Sequence, residues 1–118
     1  MKLSDRQFAF FKKRVLFWID ALDLNEWMVF IKKTGGMKDD DACVEVDLPA
    51  MRAHITIRSD ADVVDDEWFE DCAQHEVVEL LLIQLQTMAE SRGWSQSKFQ
   101  SEVHSVVHRI QKLMRKIK

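Results

Sequence analysis

The chain has 118 residues, of which 47% are hydrophobic and 31% charged, and its net charge is −3. That length supports one domain with its own core, residues 1–118, and not two. The acidic balance gives no general case for nucleic-acid binding, and only three glycines and one proline argue against disorder.

The opening Met1-Lys-Leu-Ser-Asp-Arg-Gln has no apolar core of signal-peptide type. No run approaches the ~18 apolar residues of a membrane span, so no membrane partner is expected. Cys43 and Cys72 are two lone cysteines and not a disulfide framework. They read as reduced thiols in a cytoplasmic protein.

Ser4, with Gln7 three residues on, forms a capping-box signature. Phe8, Phe11, Val15, Trp18 and Leu22 follow at spacings of three and four, which predicts an amphipathic helix from Asp5 to about Leu22. Trp18 lies on the inward stripe and is a predicted core residue. Trp27 to Lys33 is a short apolar, β-branched and aromatic run ending at Gly35-Gly36, and it reads as a strand and turn. Lys38 to Asp41 reads as a solvated loop, because it lacks the alternating ligands and glycine of a calcium-binding loop.

Two alternating strands come next. Ala42, Val44, Val46 and Leu48 face one side, as do Met51, Ala53, Ile55 and Ile57 after Pro49-Ala50. Folding them together pairs Val46 with Ala53 and Val44 with Ile55, and sets Asp47 opposite Arg52 and Glu45 opposite His54. Pro-Ala is not a usual two-residue hairpin turn, which leaves room for a longer loop. A polar outer face predicts an antiparallel sheet covered by helices on one side.

Asp60 to Glu67 is an acidic entry to the central helix, with Asp65 or Asp66 as its cap. That helix is predicted to run to about Ser91 and stop at Arg92-Gly93. It is apolar nearly all round, through Phe69, Ala73, Val77, Leu80, Leu81 and Ile83, and so is expected to be buried, with Trp68 in the core. Into this run are set His75, Glu76 and Glu79. His75 and Glu79 lie one turn apart on the same face, along with Trp68, Cys72, Leu82 and Gln86, while Glu76 is rotated by about 100°. Ser95 can cap a last helix with the stripe Phe99, Val103, Val106, Ile110, Leu113 and Ile117. His104 lies on the flank of that stripe, Glu102 on the other flank, and His108 almost opposite it. The basic end from Arg109 to Lys118 complements the helix dipole.

The predicted class is therefore α+β: a helix, a three-stranded mainly antiparallel sheet, a central motif helix and a C-terminal helix. This order, and Ala73-Gln-His75-Glu76-Val-Val-Glu79-Leu-Leu-Leu, resemble the minimal gluzincin-type zincin metallopeptidases. In particular they resemble the small zincin-like proteins encoded by phages and prophages. Leu24-Asn-Glu-Trp27-Met-Val and His104-Ser-Val-Val-His-Arg109-Ile are similar to that group as well.

The resemblance implies a zinc-dependent peptidase whose His-Glu-x-x-His helix gives two ligands and a general base, with a third ligand from the next helix. Carried over, His75 would be a ligand and Glu76 the catalytic base. Glu79 stands where the family has its second histidine, a departure that is chemically permissible because a carboxylate also binds zinc. Near the third-ligand position stands Val103, which cannot ligate. His104 is the preferred substitute, with Glu102 and, for soft metals, Cys72 as alternatives.

Three functions compete. One is a metal-dependent hydrolase whose peptide substrate lies along the sheet edge. The second is a degenerate zincin-fold module that holds no zinc and binds a host protein. The third is a nucleic-acid partner of the basic last helix, disfavoured by the acidic overall charge and the lack of an interleaved aromatic and basic face.

Overall fold

A computed structural model describes residues 3–35, 41–60, 65–90 and 95–117. Six elements follow in chain order: α1 (Asp5–Ala21), β1 (Met28–Thr34), β2 (Ala42–Asp47), β3 (Arg52–Arg58), α2 (Asp66–Glu90) and α3 (Gln96–Ile117). The expected loop at Lys38 to Asp41, except Asp41 itself, and the expected helix stop at Ser91 to Gly93 lie outside the described residues.

α1 begins at the capping box read from the sequence. The Ser4 side chain accepts from the Gln7 backbone N–H, and the Gln7 side chain accepts from that of Ser4. At its far end Asp23 turns left-handed, with φ 57°. The Asp23 N–H bonds the Asp20 carbonyl and the Leu24 N–H bonds that of Ile19. This is the Schellman arrangement, and its usual apolar clasp is present in the buried pair Ile19 and Leu24.

The sheet order is β1-β3-β2. β2 and β3 pair antiparallel in the expected register, with Val46 opposite Ala53, Val44 opposite Ile55, Asp47 opposite Arg52 and Glu45 opposite His54. Their connection takes four residues, Leu48 to Met51. Met51 is left-handed at φ 53° and its N–H bonds back to the Leu48 carbonyl, 3.0 Å. β1, however, runs parallel to β3, from Met28 opposite Arg52 to Thr34 opposite Arg58. The sheet is mixed, which corrects the expectation of a mainly antiparallel one. β1 and β2 thus flank the central strand on its two sides.

Ala53, Ile55 and Ile57 of the central strand are fully buried and join Phe11 and Val15 of α1 and Phe69, Ala73 and Val77 of α2 in one core. Arg52, His54, Glu45 and Asp47 face outward and are exposed, so the helices cover one face only. On that outer face Phe30 stacks on His54, ring centroids 5.0 Å apart. α1 is tied to α2 by Glu70, which accepts from the Arg14 guanidinium (Nη2 to Oε1, 2.9 Å) and from the Trp18 indole N–H (3.0 Å). Trp18 is in the core as expected, whereas Trp68 is only half-buried and stands at a cavity wall.

Two helix faces differ from their sequence patterns. α2 is not covered all round, for Val78 and Leu82 are 43% and 40% exposed, next to exposed His75 and Glu79. α3 buries Val106 and half-buries Phe99 and Leu113, but leaves Val103 and Ile110 exposed. With this roll, two ion pairs reach the segment after α1, from Arg109 to Glu26 (3.3 Å) and from Lys112 to Asp23 (3.7 Å). Among the described residues no helix is long and apolar enough to cross a membrane.

Candidate metal centre

Asp65 begins the site's helix, its carboxylate accepting from the Trp68 backbone N–H at 2.8 Å, an N-cap bond of the expected kind. A single turn of α2 further along carries the chemistry. His75 and Glu79, at i and i+4, are both exposed, and the His75 Nε2 lies 3.1 Å from the Glu79 Oε1. Glu76, one residue round the helix, turns toward β2 and is only 3% exposed. One ligand atom from each of His75, Glu76 and Glu79 lies within 4.8 Å of the others. One imidazole nitrogen and two carboxylate oxygens are an acceptable donor set for zinc and other divalent ions. The residues present therefore fit a metal.

His75 and Glu76 also line a cavity of about 410 Å³ between α2 and the start of β2. Its other walls are Asp41, Ala42, Trp68, Asp71 and Cys72. Asp41 is held in place by Arg58, whose backbone N–H bonds the Asp41 carbonyl at 2.8 Å and whose guanidinium lies 3.9 Å from the carboxylate. The Cys72 thiol is pushed up to about 12, first by burial and then by the negative charges of Asp41, Glu76 and Asp71. It is a protonated thiol at neutral pH, which weakens its case as a soft-metal ligand.

His104, the preferred third ligand, is not in this group. It is exposed on α3 and lines a separate cavity with Gln96, Phe99, Gln100 and Val103. Glu102 is half-buried on the same helix and does not join the group either. Helical geometry explains the separation. α3 meets α2 on the side of Gln74 and Val78, where Leu113 shares a cavity wall with them. His75 and Glu79 are turned about 100° from Gln74 and Val78, and Glu76, two residues from Gln74, about 200°, so the group faces away from that side.

The sequence reading missed Asp41 and Asp71. Asp71 carried a legible signal, since it precedes His75 by four residues. Asp41 comes from another element, and nothing local places it here. Comparison with protein-family models, with curated proteins and with solved structures finds no match.

Proposed function

We propose that this protein is a metal-dependent hydrolase of the zincin type that cleaves peptides. One observation carries the reading: the His75, Glu76 and Glu79 ligand atoms lie within 4.8 Å of one another, and the first two of these residues line a cavity. His75 and Glu79 would hold a zinc ion. When bound, such an ion acidifies water and polarises a carbonyl. Of the three groups that fit the ion, Glu76 is assigned the role of general base, because its carboxylate lies within 4.8 Å of both other ligand atoms while those two side chains are engaged. Its burial keeps solvent from screening it.

The substrate lies along β2, an edge strand that pairs only with β3 among the described residues and whose Ala42 is in the cavity wall. An extended peptide can add to such an edge through main-chain hydrogen bonds. His104, the third ligand that the resemblance implies, is not among the residues that would hold the ion.

A second reading is favoured by the 3.1 Å contact between His75 and Glu79. Each satisfies the other without a metal, as in a zincin scaffold that has lost catalysis and binds a partner protein. Metal analysis of protein purified without a histidine tag separates the two. The hydrolase reading expects about one zinc per chain, lost in Glu79→Ala and kept in Glu76→Gln. In Glu76→Gln peptide hydrolysis falls by roughly 10²–10⁴-fold. A parent that takes up no zinc, with variants differing only in melting temperature, leaves the binding-module reading.

A further inference from the structure

The metal pair leaves one proton to be placed. The His75 Nε2 faces a carboxylate oxygen of Glu79 at 3.1 Å. A carboxylate only accepts, so a neutral ring carries its hydrogen on Nε2. With the Nε2 lone pair given to a metal, the same ring must carry that hydrogen on Nδ1. Metal-ligating histidines almost always donate this second N–H to a fixed acceptor, which sets the tautomer and the ring orientation.

Asp71 is placed to be that acceptor. It lies one turn before His75 on the same face of α2, and both side chains line the same cavity. Helical side chains lean toward the N-terminus, a direction that brings Asp71 within the sweep of the His75 ring. Asp71 is exposed, and among the described residues it makes no hydrogen bond or ion pair that would compete. The other carboxylates nearby are committed elsewhere. Asp41 pairs with Arg58, Glu79 is a ligand, and Glu76 is rotated by about 100° toward β2.

We infer that Asp71 is a positioning residue for the metal site, accepting the His75 Nδ1–H so that Nε2 is presented to the metal. The inference rests on the metal-dependent reading above. It assigns the helix a longer signature, Asp71-x-x-x-His75-Glu76-x-x-Glu79, in which the first carboxylate acts through the histidine and does not touch the metal.

The test is zinc affinity, measured by competition with a chromogenic chelator at fixed pH and salt. The untagged parent is compared with Asp71→Ala, Asp71→Asn and a control, Glu67→Ala, which removes an exposed carboxylate from the first turn of the same helix. Loss of an outer-shell partner typically weakens metal binding by about 10–100-fold, and Asp71→Ala is expected in that range. Asp71→Asn keeps an amide oxygen that still accepts from Nδ1, so its affinity should stay closer to the parent's. Metal-free melting temperatures should coincide, because Asp71 is exposed and holds nothing else.

Three results overturn the inference. Asp71→Ala may match the parent, it may lose no more than Glu67→Ala, or Asp71→Asn may fall as far as Asp71→Ala, which would leave charge alone. Each of these spares the hydrolase reading, since the parent still binds zinc. A parent without zinc affinity overturns both.

Discussion

Glu70 shows how one side chain can join two helices and also respond to pH. Its carboxyl is held below the ordinary value of 4.5, first by the hydrogen bond from Arg14 and further by that from Trp18, against an opposing effect of burial. The direction fixes the sign. A carboxyl that is more acidic folded than unfolded adds stability at pH values above its unfolded value. That contribution fades as the pH falls through the folded value. Urea midpoints measured from pH 7 downward should therefore drop more steeply in the parent than in Glu70→Gln. At pH 7 the variant should be less stable by about 1–2 kcal/mol, the scale of charged hydrogen bonds at a half-buried site. Parallel curves for the two proteins would mean that the Arg14–Glu70–Trp18 contact contributes nothing.

Among the elements, α3 offers the clearest contrast between pattern and packing. Val106→Ala removes a buried side chain and should cost roughly 1–3 kcal/mol. Ile110→Ala, on the same apolar stripe but 42% exposed, should cost clearly less in the same thermal melt. The stripe itself was legible, but its rotation was not, because that depends on packing against distant parts of the chain, where Arg109 and Lys112 meet Glu26 and Asp23 more than eighty residues earlier. The same division runs through the fold. Ser4 and Gln7 start α1 where the sequence places the start, and the alternation about Pro49 gives the β2–β3 register, since both signals are local. Nothing in Trp27 to Lys33 says which neighbour β1 takes, and its parallel pairing with β3 was unforeseen. At the site, three residues on one helix could be read from spacing. A ligand from α3 required knowing which way two helices face each other.

For the whole molecule, the core and the candidate metal centre are separate in kind. The buried apolar cluster draws on α1, β3, α2 and Val106 of α3, with partly buried residues of β1 and β2 packed against it, whereas His75 and Glu79 sit exposed on a single turn of one helix. Metal binding should then stabilise the fold without creating it, unlike small zinc domains that unfold when stripped. At a hundredfold excess of zinc over its Kd the gain is about 2.7 kcal/mol, a rise of roughly 10 °C in Tm. Chelator-treated protein should keep its circular dichroism and its cooperative melt. Loss of secondary structure on chelation would mean that the ion holds together more than one turn of α2.

The central place of β3 also matters while the chain is being made. Synthesis delivers β1 and β2 first, and neither is the other's neighbour. Both wait for the strand that separates them. Until residue 58 has left the ribosome, the apolar and aromatic run Val29-Phe30-Ile31 has no native edge to join. Such a run can pair with whatever strand it meets, including one from a neighbouring nascent chain. The interval between translating β1 and β3 is thus when this protein most needs a chaperone.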